Sequence, residues 1–242
     1  MTAVVTLHEV AIPMPSARAL PAAFVVPPAP RAAGVIVLHE TFGLNDDMRR
    51  IAGRFAAAGY PTVAPDFFAG LGPKPICIVR FVRSLERAAG RPYRQLAVVH
   101  EWLAERPEVS AGPIGVAGFC MGGGFAILYA AAADVAVVAP FYGPFADDAR
   151  VDGICPVVAS YGGRDEVFGD GGERLAAALA ARGIEHDVKT YPEAGHSFMS
   201  RHDGLSGFLG PRLPLRAQHA PAAAEDAWAR TLSFFDRHLA AA

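Results

Sequence analysis

Residues 114–130 read IGVAGFCMGGGFAILYA. The run Ile114 to Phe119 is short, apolar and bounded by glycine, which predicts a buried strand. It enters a tight turn, Gly118-Phe119-Cys120-Met121-Gly122, followed by two further glycines and an apolar helical pattern from Gly122 to Ala132. Strand, sharp turn and helix in this order form the context of the G-x-S-x-G motif, in which a strained turn lifts a nucleophile above the sheet edge. The central residue here is Cys120. Gly118, Gly122 and Gly123 allow the backbones to approach. The following helix points its N-terminus at the sulfur, which favours thiolate. On this stretch alone, a structural cysteine in a glycine-rich turn is the alternative. A phosphate cradle is not: GFCMGG lacks the Lys-Ser/Thr of a P-loop and the spacing of a dinucleotide fingerprint.

Working outward, the same strand-then-helix rhythm recurs. AVVTLHEV and LPAAFVV read as two opening strands, and Gly34 to His39 is a short β-branched apolar run. A helix is expected from Asp46 to Ala58, ended by Gly59. PTVAPDFF, VAVVAPFYG, CPVVASYGGRDEVF and HDVKTYPEAGHSF each read as a strand plus its loop. Residues 74–106 hold one or two helices whose periodicity is broken by proline, glycine and basic residues. GGERLAAALAARG is rich in helix formers. The closing segment, residues 220–241, is an amphipathic helix whose Trp228, Leu232 and Phe235 have core spacing. Residues 201–220 form a Gly/Pro-rich loop. This alternation implies a three-layer α/β fold around a mostly parallel sheet with helices on both faces. No repeat or linker interrupts it, so residues 1–242 read as a single domain.

Bulk properties narrow the function classes. The chain has 242 residues, 52% of them hydrophobic, enough for a sizeable core without staples. No apolar run is long enough to predict a membrane span, and the N-terminus lacks the pattern of a secretory signal. A net charge of −2 without a basic cluster gives a nucleic-acid partner no support. Three widely spaced cysteines, Cys77, Cys120 and Cys155, argue against a disulfide framework and a zinc site. They point to a reducing, cytoplasmic compartment. Cys155, before Pro156 in an apolar run, reads as buried and inert. His196 and His202 lack a third ligand in sequence, so no metal is expected, and no cofactor motif is present.

Downstream of Cys120, YGGRDEVF places Asp165 just past a predicted strand, and YPEAGHSFM places His196 in the loop after the next one. Nucleophile, acid, histidine is the chain order of α/β-hydrolases. Each residue follows a strand's C-terminal end, where sites form in open α/β sheets. Histidine there would exchange a proton with the thiol, oriented by Asp165. Taken singly, Asp165 reads equally as a turn residue and His196 as a loop histidine bonded to backbone. Upstream, VLHETFG supplies a second oxyanion donor, the N–H of Thr41, beside that of Met121. Phe42 and Tyr142 are candidates to line a pocket, although aromatics beside a sheet commonly serve the core.

Together HETFG, GFCMGG, GGRDEVF and AGHSF resemble the dienelactone hydrolase family, from about residue 5 to 238. The resemblance implies a single-domain α/β-hydrolase with a Cys120-Asp165-His196 triad, acting on small esters or lactones through an acyl-enzyme. It also implies that Glu40 interacts with the resting cysteine and is displaced when substrate arrives. A carboxylate near a thiol raises the thiol's pKa and limits its oxidation. The chain departs from the lactone-cleaving pattern in its arginines. Four residues after His196 stands Ser200, with Arg201 one step later. Arg80 and Arg83 are alternatives for the second. The expected partner is a small-molecule ester or lactone, with the protein a monomer or small homo-oligomer. Two other readings stay open: a thioesterase or other carboxylesterase on the same scaffold, and a non-catalytic ligand-binding or redox-sensing relative.

Overall fold

The runs expected as strands hydrogen-bond into one eight-stranded sheet in the order β1-β2-β4-β3-β5-β6-β7-β8. The computed structural model describes residues 4–15, 17–70, 83–85, 89–145, 151–201 and 209–240. The strands are β1 (Thr6–Met14), β2 (Ala17–Val26), β3 (Gly34–Leu38), β4 (Thr62–Pro65), β5 (Ile114–Phe119), β6 (Val137–Phe141), β7 (Val157–Gly162) and β8 (His186–Tyr191). From β4 to β8 all neighbours run parallel. The opening hairpin is antiparallel to itself and to β4. Every residue of β3, β4, β5, β6 and β7 is buried. A parallel sheet covered on both faces demands this, which is why these runs are continuously apolar rather than alternating.

Among the described residues the cover comes from α1 (Asp46–Ala57), α2 (Arg91–Ala104), α3 (Met121–Ala130), α4 (Gly171–Ala180) and α5 (Pro221–His238). α1 starts where Asn45 accepts a hydrogen bond from the Met48 N–H at 2.9 Å, with Asp46 and Asp47 in its first turn. It stops before Gly59, at φ 99°. Met48, Ile51 and Phe55 of α1 pack with Trp228, Phe234 and Phe235 of α5 on one face of the sheet. Phe55 meets Trp228 edge-on at 4.6 Å. Leu96, Val99 and Leu103 of α2, Phe125 and Ile127 of α3, and Leu175 and Leu179 of α4 cover the other face. Within residues 74–106 the described residues hold α2 and a short helical segment at 83–85; Cys77 lies outside the described residues. A short 3-10 turn, Gly210–Arg212, interrupts the segment expected as plain loop. Cys155 is half-buried, and burial pushes its thiol up to about 12. Among the described residues no helix is long and apolar enough to cross a membrane.

The parallel arrangement brings the C-terminal ends of β3, β5, β6, β7 and β8 to one edge. The loops that follow them begin at residues 39, 120, 142, 163 and 192, and every residue of the proposed triad lies in one of them.

Candidate active site

Cys120 is the residue between β5 and α3, and its backbone has φ 54° and ψ −121°. A side chain rarely occupies this left-handed region, and holding it there costs of order 1–3 kcal/mol. Its neighbours enforce it. The Cys120 N–H donates to the Phe141 carbonyl at 3.0 Å, and the Gly123 N–H donates to the Cys120 carbonyl at 2.8 Å. A Cβ on Gly122 would come within 2.8 Å of the His39 carbonyl, and one on Gly118 would overlap the Gly122 carbonyl. Glycine is required at both places so that β3, β5 and α3 can converge under the sulfur. The helix expected from Gly122 begins at Met121, directly behind the thiol.

His196 and Asp165 meet across the next two loops. The His196 Nδ1–H donates to Asp165 Oδ2 at 2.6 Å, with both side chains almost fully buried. The other carboxylate oxygen, Oδ1, accepts the N–H groups of Val167 at 3.0 Å and Phe168 at 3.1 Å. Asp165 is thus both a turn residue and the imidazole's partner. The histidine loop is pinned by the His196 N–H to the Leu215 carbonyl at 2.8 Å. Rings of Tyr142, at 4.9 Å, and Phe168, at 5.5 Å, sit against the imidazole. Its Nε2 is buried without a hydrogen-bond partner of standard geometry. Burial works against the charged ring, but Asp165 and the Cys120 sulfur outweigh it and push His196 up to about 10. An imidazole held this way accepts a thiol proton readily and stabilises the thiolate left behind.

Glu40 is buried at 2% exposure. Its Oε1 accepts the Ser200 hydroxyl at 2.8 Å and the Tyr142 hydroxyl at 3.1 Å. His39 buttresses the same loop: its Nδ1–H donates to the Glu40 carbonyl at 2.7 Å, and its Nε2 accepts the Phe67 N–H at 3.2 Å. Those two bonds fix one neutral tautomer, and burial lowers the ring's pKa to match. Neither the Thr41 N–H nor the Met121 N–H is taken by a protein acceptor among the described residues.

The remaining expected residues fall into two groups. Phe42 is exposed on the Glu40 loop, whereas Tyr142 is fully buried among rings with its hydroxyl on Glu40 and Ser200. Arg83 is exposed on a short helical segment, and Arg201 is exposed with its backbone N–H on Asp47 Oδ2 at 3.1 Å. Arg80 lies outside the described residues. Ser200, His39 and Phe168 were not singled out as site residues in the sequence. Only His39 carried a local signal there, its place beside Glu40 in LHET.

Residues 20–239 match the family model for the dienelactone hydrolase family. The chain belongs to that family. A carboxymethylenebutenolidase of Rhodococcus opacus is 29% identical over 223 residues, covering 85% of this chain and 81% of the relative. A dienelactone hydrolase-like promiscuous phosphotriesterase from metagenomic libraries superposes with a TM-score of 0.79 at 22% identity, covering 97% and 98% of the two chains. A dienelactone hydrolase from Anabaena variabilis gives 0.70 at 17%, covering 97% and 99%. At such identities the two structures speak for the shared α/β-hydrolase fold. With the family established, this dienelactone hydrolase-like protein is a hydrolase acting on ester or lactone bonds.

Proposed function

We propose that this member of the dienelactone hydrolase family hydrolyses small activated esters or lactones through a Cys120-Asp165-His196 triad and an acyl-enzyme. The observation that carries the reading is the His196–Asp165 pair at 2.6 Å, with the imidazole's second nitrogen buried and the Cys120 sulfur acting on the ring.

In the proposed cycle, Cys120 Sγ attacks the carbonyl carbon, and the carbonyl electron pair moves onto oxygen. The N–H groups of Met121 and Thr41 hold that oxyanion. As the intermediate collapses, the bond to the leaving oxygen breaks and His196 Nε2–H gives that oxygen its proton. Water then attacks the thioester, His196 takes a proton from the water, and the thiolate departs from the free acid. Thiolate, imidazole and backbone N–H groups supply the nucleophile, the proton shuttle and the oxyanion donors. The chemistry needs no metal or organic cofactor. The family resemblance gives Glu40 the role of holding the resting thiol until substrate displaces it.

Two features favour activated acyl groups such as enol lactones and aryl esters. A thioester facing a stable alkoxide collapses backwards, and the exposed ring of Phe42 offers a flat surface beside Thr41. The same reading takes residues 1–242 as one domain of a cytoplasmic enzyme. The test is p-nitrophenyl acetate turnover by wild type, Cys120→Ser and Cys120→Ala, followed by a panel of enol lactones, aryl esters and thioesters. Loss of turnover in both variants supports the reading, and unchanged turnover overturns it. A panel dominated by thioesters would move the substrate class while leaving the nucleophile in place.

A further inference from the structure

Three buried groups from distant parts of the chain converge on one oxygen atom. Ser200 and Tyr142 are fully buried and Glu40 nearly so. The Ser200 and Tyr142 hydroxyls both donate to Oε1 of Glu40, at 2.8 and 3.1 Å, and stand 3.1 Å from each other. Two hydroxyl protons thus converge on one carboxylate oxygen. Tyr142 has a backbone φ of 41°, strained for a side chain of its size, and its N–H is tied to the Ser160 carbonyl at 2.8 Å. That conformation lays the ring on His196 at 4.9 Å while the hydroxyl reaches Glu40.

We infer that Ser200 and Tyr142 are positioning residues that clamp the Glu40 carboxylate and so set how readily Cys120 becomes a thiolate. The inference rests on the reading of Cys120 as nucleophile and Glu40 as its neighbour. A carboxylate charge near a thiol raises the thiol's pKa. Two donors on one oxygen disperse that charge and fix its direction. Without them more charge stays on Oε1, and the carboxylate is a stronger base towards the thiol proton. Tyr142 is suited to the task because burial, then the charges of Glu40 and Cys120, keep its phenol protonated well above the usual range. The groups facing this cluster come from every neighbouring loop: His39 and Glu40 after β3, Cys120 after β5, Tyr142 after β6, and His196 after β8. Asp165 stands behind His196 after β7, and Asp66 lies 3.9 Å from His39 Nε2.

The test is the pH profile of Cys120 alkylation by iodoacetamide, read by mass spectrometry on the full-length protein. Ser200→Ala should move the midpoint up by about one unit, a roughly tenfold slower reaction below it. Ser200→Thr, which keeps the hydroxyl, should restore the wild-type profile. Tyr142→Phe, which keeps the ring, should move it the same way as Ser200→Ala. In a Glu40→Gln background, where there is no charge to hold, Ser200→Ala should have no effect. An unmoved profile in both Ser200→Ala and Tyr142→Phe overturns the inference, as does an equal shift with and without Glu40. Alkylation requires no turnover. The hydrolase reading therefore stands or falls separately, on the loss of ester turnover in Cys120→Ser.

Discussion

His196 and Asp165, 31 residues apart in sequence, share one buried hydrogen bond of 2.6 Å between Nδ1 and Oδ2. The Asp165 carboxylate accepts this bond on one oxygen and two backbone N–H groups of its own turn on the other, which hold both partners in place. Asp165→Asn keeps the size of the side chain but removes its charge and leaves the imidazole's tautomer unfixed. It should lower kcat for p-nitrophenyl acetate by about three to four orders of magnitude, with a much smaller effect on KM. Steady-state kinetics on the purified variant, with circular dichroism to show an intact fold, checks this.

The raised pKa of His196 makes stability depend on pH. Burial opposes the imidazolium, but Asp165 and Cys120 raise the folded value to about 10, above the ordinary 6.5. The folded state therefore binds this proton more tightly than the unfolded chain does. Its contribution is fully present below pH 6.5 and is lost as pH rises from 6.5 through 10. The Tm difference between wild type and His196→Gln should be largest below pH 6.5 and shrink towards pH 10. Thermal melts across that range measure it, and a difference independent of pH would count against the assignment.

Two glycine substitutions should act in opposite directions. Gly118 lies where an added Cβ overlaps the Gly122 carbonyl, and neither partner is a side chain that can yield. Gly118→Ala should cost more than about 3 kcal/mol and abolish turnover. Gly53, inside α1, has open space around its Cβ position. Gly53→Ala should stabilise the protein by about 0.8 kcal/mol, with activity unchanged. Denaturant melts of both variants give the comparison.

Leaving-group chemistry should govern substrate choice. Enol lactones and aryl esters should be turned over readily and ethyl butyrate much more slowly, because an alkoxide attacks the thioester faster than it departs from it. Equal kcat/KM across the panel would show that another step, such as substrate binding or release, controls the rate.

The parts legible in the sequence were those in which local pattern and global fold agree. GFCMGG specifies its own geometry, since the glycines are needed wherever the chain passes close to β3 and β5. The continuous apolar runs of β3 and β5 mark strands buried on both faces. Asp165 was readable because it follows such a run, β7, and His196 because it stands in the loop after the next strand, β8. Contacts with no local signature were not. Ser200 looked like a missing arginine, whereas its hydroxyl meets a carboxylate 160 residues earlier in the chain. Tyr142 read as either a pocket or a core aromatic, and nothing in PFYG announces the left-handed backbone that brings its hydroxyl to Glu40. The ring of Phe168 reaches His196 only because β7 and β8 are adjacent in the sheet.

The most direct test of the account is mass spectrometry of enzyme quenched during the first turnovers of p-nitrophenyl acetate. A Cys120 nucleophile should give a stopped-flow burst and one acetyl group on the peptide carrying Cys120, absent in Cys120→Ser or changed there to a long-lived oxygen ester. Steady turnover without an adduct on Cys120, undiminished in the variant, would contradict it and leave the GFCMGG turn as a purely structural element.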